Sequence, residues 1–408
     1  MNVAFRDIAS ERMQHVQAIR RQGSLPVMSV CHDLEAARTP WLALAASNAV
    51  ASPYQAFDWI RLWHRHVSAP LGHRPLIVTG CDERGEPLFV WPLLERKFGA
   101  LRGATFFGGK HATLNMPLWR RDVASRFTAQ DMRSVMSAIA AQANGIDLVM
   151  LHSQPATWDG TPNPFMLLPH QRASEDNFVL HITAGADDIL AQQISGTMRG
   201  RLRNKERKLS KILGYRYVRA TSAADVDRQL DAFFAQKAEK LKIQGVENAF
   251  GQYGVEEFVR AACHVGRSEG RPVIELHALE SEGEMLALFS GIHDGQHFTS
   301  MFNSHTATEA ARFSPGLILL QHLIVDCARR NFRSFDIGPG EARYKTFFCK
   351  EIELIYDSIL PLSLRGRAVA PLLRNWLWAK GYVKRNPRLW GVAHAVRARM
   401  LNGKQTTD

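Results

Sequence analysis

The chain reads through one order of elements twice, and that repetition limits its fold more than any other feature. In the first half, apolar runs at 75–81 and 88–96 flank the turn residues Glu83, Arg84 and Gly85. In the second, runs at 273–280 and 285–293 flank Ser281, Glu282, Gly283 and Glu284. A short polar stretch containing glycine between two strand-like runs predicts a hairpin, so each half contributes antiparallel strands. At 408 residues the chain exceeds what one hydrophobic core organises, and two units follow.

Around each hairpin the pattern is mixed α/β. The first half opens with a strand at 27–31 and helices at 40–50 and 57–66. After its hairpin come a strand at 105–107, a helix at 128–144 and a strand at 147–152. A loop holding Pro155, Pro162, Pro164 and Pro169 leads out of it. The second half opens with a basic helix, 196–213, and a strand, 215–220. Ser222 then caps a helix whose Val226, Leu230, Phe233, Phe234 and Leu241 form one apolar stripe. A helix at 255–268 precedes the second hairpin, which is extended by a strand at 297–303. A helix at 317–330 delivers the chain into a strand at 332–337, and a last strand at 353–362 closes the unit. The expected organisation is a mobile arm (1–25), one domain at 26–183, a second at 184–362, and a tail at 363–408.

The stretch from 297 to 337 carries the chemistry. A strand, helix, strand crossover joins parallel strands, so the second sheet is mixed, and its crossover helix starts at Ser314, Pro315 and Gly316. The first N–H groups of a helix have no intrahelical partner and sit at the positive end of its dipole. Proline costs nothing there, and glycine removes the Cβ that would keep a ligand away. Ser314, Gly316 and Leu317 therefore form a candidate phosphate site, although ordinary helix capping explains the same residues.

Several classes are excluded. No run reaches the roughly 18 apolar residues of a spanning helix, and Arg6, Asp7, Glu11 and Arg12 occupy the place of a signal peptide's apolar core, so a cytoplasmic protein is expected. Five cysteines without a C-x-x-C pair fit neither a disulfide framework nor a zinc site, and no metal is expected. Gly338, Pro339 and Gly340 follow a strand but put Arg343 where a dinucleotide fingerprint needs its third glycine. No H-E-x-x-H, G-x-S-x-G or P-loop occurs.

Ser314-Pro-Gly316 at a helix start, Phe335-Asp-Ile-Gly338 at a strand end and Tyr344-Lys345 together resemble the C-terminal signature of GNAT-type acyltransferases of the CelD-like, cellulose-biosynthesis group, relatives of the FemAB aminoacyltransferases. Phe57, Trp59 and Trp63 resemble the early aromatic helix of these proteins. The resemblance implies two tandem GNAT-like domains and transfer of an acetyl or other acyl group from acyl-CoA to an amine or hydroxyl of a sugar or exopolysaccharide-related acceptor. It places pantetheine along the edge at Phe302 and Asn303 and the pyrophosphate at Ser314, Gly316 and Leu317. Asp336 becomes a base or acceptor anchor, Tyr344 the proton donor, and Lys345 a third site residue. His293, His297 and His305 are further candidates for the base. A single Gly316 where the wider family pairs glycines leaves open an aminoacyl-tRNA donor, or a catalytically degenerate module serving a polysaccharide synthase.

The net charge of +12 is concentrated in two places. Arg199, Arg201, Arg203, Lys205, Arg207, Lys208 and Lys211 crowd one helix with Glu206 as its acid. Solvated surface and an anionic ligand are equal readings of it. The tail sets ten basic residues against Asp408 and interleaves Trp376, Trp378, Tyr382 and Trp390 among them. Such a segment suits peripheral contact with an anionic membrane, or packs its aromatic residues back on the body.

Overall fold

The structure is a computed structural model that describes residues 27–143, 145–340, 342–386 and Leu389. The arm at 1–25 and the end of the tail, including Trp390, lie outside the described residues.

Strands β1 (Val27–Cys31), β2 (Arg74–Cys81), β3 (Pro87–Phe98), β4 (Leu101–Phe106) and β5 (Leu148–Pro155) build the first sheet. The expected hairpin is β2–β3, antiparallel, and β4 pairs with β5 in parallel through Gly103, Ala104 and Thr105. Helices α1 (Arg38–Ala45), α2 (Phe57–Trp63) and α3 (Ala129–Gln142) complete the unit. The helix expected over 40–50 stops earlier, because Ala49–Val50 is a short strand that pairs with Leu118–Arg120. α3 begins at a capping box in which Thr128 and Asp131 satisfy each other's backbone N–H groups.

The second unit repeats the plan. After β6 (Asn177–His181) come α4 (Gly196–Leu209), β7 (Arg216–Arg219), α5 (Ala223–Ile243) and α6 (Val255–His264). The hairpin β8 (Glu275–Ser281) and β9 (Glu284–His293) follows, then β10 (His297–His305), α7 (Pro315–Arg329) and β11 (Ser334–Pro339). β8, β9 and β10 form an antiparallel meander, and β11 returns parallel to β10. Both sheets are thus mixed, as the two hairpins and the crossover require.

One expectation fails. The strand meant to close the second unit, β13 (Ile355–Pro361), pairs with β5 of the first sheet, while β6 from the end of the first half pairs with β11 of the second. β12 (Glu351–Glu353) then adds to β6. The units exchange strands, so a cut near 183 separates β6 from the sheet it completes. Both exchanged strands are short, and their local sequence does not encode which neighbour they pair with.

A shared core holds the units together. Trp59 and Trp63 of α2 stack at 5.7 Å, and Phe258 of α6 packs edge-on against both, at 5.3 and 5.0 Å. Phe57, Tyr54 and Phe107 join the same cluster as Phe233, Phe250 and Phe302 of the second unit. The units approach closely at Gly254, where φ is +73° and an added Cβ would lie 1.8 Å from the His66 carbonyl oxygen. The tail begins as α8 (Leu364–Arg385), which packs on β13.

The exchange makes a prediction. A fragment of residues 184–362 lacks β6 and bares the edge of β11, and its thermal scan by circular dichroism should show no cooperative transition. Full-length protein cleaved between Ala184 and Gly185 keeps both exchanged strands and should retain one.

Candidate active site

Parallel pairing between β10 and β11 lasts for three residue pairs, His297 with Ser334, Phe298 with Phe335 and Thr299 with Asp336, and then stops. Beyond that point β10 stays with β9 and β11 stays with β6. The break coincides with a shift of register between Ser290 and Gly291, which leaves Met301 as an extra residue on β10. A bulge bends its strand away from a neighbour, and here it opens a cleft between Ser300–His305 on one side and Ile337–Pro339 on the other.

The start of α7 faces the mouth of this cleft. Ser314 takes the left-handed conformation, φ +56°, so the chain turns sharply into Pro315. A Cβ added at Gly316 would meet only the Cβ of His305 at the end of β10, 4.0 Å away, so the turn lies beside β10 and its backbone is otherwise open to close approach. The Leu317 N–H already donates to the Ser314 carbonyl at 3.0 Å, and among the expected phosphate ligands Leu317 is engaged within its own turn. The basic helix supplies the charge: Lys205 of α4 donates from Nζ to Ser314 Oγ at 2.7 Å. Arg201, Arg203, Arg207 and Lys208 of α4 remain exposed. Distance in sequence hid this pairing of Lys205 with Ser314.

The cleft edge differs from expectation at one residue. Phe302 does not offer its backbone, because its N–H donates to Ser290 Oγ at 3.1 Å and its carbonyl accepts from the same hydroxyl at 3.0 Å. Its ring is buried against Phe233 and Phe250. Asn303 does belong to the cleft. Its carbonyl accepts from Lys237 Nζ at 3.3 Å, and its side chain interacts with the phenol of Tyr344, bringing together residues 41 positions apart. Burial raises the Tyr344 phenol, which keeps its proton at neutral pH.

Asp336 sits where the strands part. It is 2% exposed; Oδ1 accepts from the Gly338 N–H at 2.7 Å, and Oδ2 has no hydrogen-bond partner. Burial pushes its carboxyl up to about 7, the Gly338 N–H opposing and the charge of Glu353 adding. Its neighbours come from distant segments: buried Thr299 across the ladder, buried Asn177 of β6, partly exposed Glu353 of β12, and Tyr54 of the first unit, whose phenol is raised by burial and further by the Asp336 charge. Lys345 is 5% exposed and donates from Nζ to the carbonyls of Gly338 and Pro339, both at 2.8 Å, so it fixes the loop behind Asp336. Of the three histidines, His297 bonds through Nδ1 to Ser334 Oγ at 2.8 Å, and His293 faces Glu275 at 3.4 Å. His305 is exposed and borders the cleft mouth.

A 680 Å³ groove runs between the units at the His297 end of β10, lined in part by Gln55, Arg121, Asp159, Arg271, Gln296 and His297. Asp159, at φ +47°, holds it together by accepting from Arg121 at 2.9 Å and Arg333 at 2.8 Å. The Asp159-Gly160 pair is a turn signal legible in the sequence. Glu275, His277 and Asp326 have ligand-type atoms within 4.8 Å of one another. Arg330 already pairs with Glu275 at 2.5 Å and Asp326 at 3.1 Å, so a guanidinium occupies the place of a cation's charge.

Residues 196–346 match the acetyltransferase (GNAT) domain family. That span contains α4, the cleft, Asp336 and Lys345, so the chain carries a GNAT acetyltransferase domain and is an acyltransferase. The solved structure of FemX is similar over 84% of this chain and 99% of its own, with a TM-score of 0.57 at 10% identity, which shows a shared fold. The C-terminal domain of a putative lysylphosphatidylglycerol synthetase from Agrobacterium fabrum covers 79% of this chain and 91% of its own, with a TM-score of 0.48 and 11% identity. A tandem GNAT protein from the clavulanic acid biosynthesis pathway covers 83% and 99%, with a TM-score of 0.43 and 12% identity. A search of curated protein sequences returns no match. Among the described residues, no helix is long and apolar enough to cross a membrane.

The burial of Asp336 can be tested by pH. Its carboxyl binds a proton more tightly in the folded chain than in the unfolded one, so folding loses stability as pH rises from about 4 through 7 and changes no further above that. Asp336→Asn removes this penalty. The melting temperature of the variant should match the parent near pH 4 and exceed it near pH 8, measured by differential scanning calorimetry.

Proposed function

We propose that the chain transfers an acetyl or other acyl group from acyl-CoA to an amine or hydroxyl of a sugar-type acceptor, as the CelD-like resemblance implies. The observation that carries this reading is the cleft between β10 and β11, with the α7 terminus at its mouth and Lys205 on Ser314. Strand amides of β10 suit the pantetheine arm, and Ser314, Gly316 and Lys205 suit its diphosphate. The groove at the other end of β10 presents amide, guanidinium, carboxylate and imidazole groups, a set that pairs with the hydroxyls of a sugar acceptor. Asp336 lies between the two.

In this reading the acceptor attacks the thioester carbonyl. The new C–N or C–O bond forms, the C–S bond breaks, the acceptor's proton passes to the Asp336 carboxylate, and Tyr344 protonates the departing thiolate. A carboxyl held near 7 is half ionised at neutral pH and strong enough as a base there. Lys345 positions this machinery by holding the Gly338 and Pro339 carbonyls. An envelope or exopolysaccharide precursor fits the acceptor class.

A second donor has one observation in its favour. The exposed arginines of α4 extend past the Ser314 turn and suit a longer polyanion, such as aminoacyl-tRNA. Calorimetric titration with acetyl-CoA, CoA and aminoacyl-tRNA separates the donors. Acetyl-CoA should bind, and Lys205→Ala should weaken it about tenfold; failure of every CoA species at millimolar concentration would refute the first reading. A protein that binds acetyl-CoA yet transfers to no sugar amine or hydroxyl would be the degenerate module.

Kinetics test the residue roles. Asp336→Asn should keep its affinity for acetyl-CoA and lose about two to four powers of ten in kcat, with the parent's rate rising through about pH 7. Tyr344→Phe should lose less. Full activity in both variants would sink these assignments.

A further inference from the structure

Helix α8 is amphipathic on two sides. One side is committed to the body: Ala370, Leu373 and Leu377 pack with Leu148, Met150 and Ile359, and Gly366 lies so close to the first sheet that an added Cβ would be 2.0 Å from the Asp147 carbonyl oxygen. Polar contacts lock this pose. Ser363 Oγ donates to Asp147 at 2.6 Å, Arg374 to the Ile359 carbonyl at 2.6 Å, Lys384 to Glu175 at 2.5 Å and Arg385 to the Ala173 carbonyl at 2.7 Å.

With that side fixed, the opposite one is held outward. It carries Leu364, Leu372, Trp376, Trp378 and Tyr382, which are 79%, 68%, 60%, 60% and 53% exposed. These residues did not pack back on the body, the alternative that sequence alone left open. Trp378 and Tyr382 stack at 5.6 Å on one flank of this side, and Lys380 lies 5.3 Å over the Trp376 ring on the other. Arg365, Arg367 and Lys380 rim these residues, and α8 contains no Asp or Glu.

We propose that the exposed face of α8 is where the protein rests on an anionic lipid bilayer. Indole and phenol rings with a polar edge and an apolar body favour the headgroup level, the two leucines reach toward the acyl boundary, and the arginines and lysine meet lipid phosphates. Charge decides the occupant. A second copy seated face to face would bring two acid-free basic rims together, whereas an anionic bilayer is complementary to one. The inference depends on no particular donor or acceptor.

Full-length protein mixed with extruded vesicles provides the test. It should sediment with vesicles containing about one third phosphatidylglycerol at least tenfold more strongly than with pure phosphatidylcholine, and about 0.5 M salt should weaken the binding. Tryptophan emission should shift to the blue on binding. The double variant Trp376→Ser and Trp378→Ser, with both sites solvent-facing, should melt as the parent does and lose at least tenfold in vesicle affinity. Arg365→Gln combined with Lys380→Gln should reduce the anionic preference and provides the readout should the first variant fold poorly. Equal vesicle binding by parent and variants would overturn the proposal by assigning attachment to residues 387–408. No vesicle binding, or a self-association that the tryptophan changes abolish, would overturn it as well.

Discussion

Pairing of β6 with β11 is the contact on which the functional arrangement depends. β11 leaves β10 after three residue pairs, and the backbone groups on that edge then face the cleft. β6, arriving from the other half of the chain, pairs with the opposite edge of β11 along its length. The cleft can stay open because the far edge of β11 is paired. The same strand brings Asn177 beside Asp336 and, through β12, Glu353. Burial and the raised carboxyl of Asp336 are thus consequences of the strand exchange.

The aromatic core between the units serves a related end. α2 contributes Trp59 and Trp63, α6 contributes Phe258, and the ring contacts keep the two sheets in one fixed relation. With that relation fixed, Tyr54 of the first unit lies near Asp336 of the second, and Asp159 reaches Arg333. The candidate site therefore belongs to both units, although the family match falls in one.

Charge is distributed with comparable economy of purpose. α4 directs Lys205 at the turn into α7 and leaves Arg201, Arg203, Arg207 and Lys208 exposed, while α8 sets its cations beside exposed aromatic residues. A further cluster of ionisable groups, around Glu275, pairs internally through His277 and Arg330 and holds α7 to the sheet. These three groups of charges thus stand in three different surroundings: a helix-start turn, an exposed aromatic face and the buried interior.

The sequence by itself determined the repeated hairpins, the crossover from β10 through α7 to β11, the turn at Ser314-Pro-Gly316, and Asp336 as an acid on the returning strand. Each rests on local rules: turn chemistry, helix capping and alternation along a strand. Tertiary structure alone decided which strands exchange, that Lys205 meets Ser314, that Phe302 turns its backbone to Ser290, and that Lys345 holds the loop behind the acid. It also decided that Trp376 and Trp378 face outward. Pairing between strands, and contact between residues about a hundred positions apart, depend on how the cores of two units close around one another. A local pattern of residues carries no record of that.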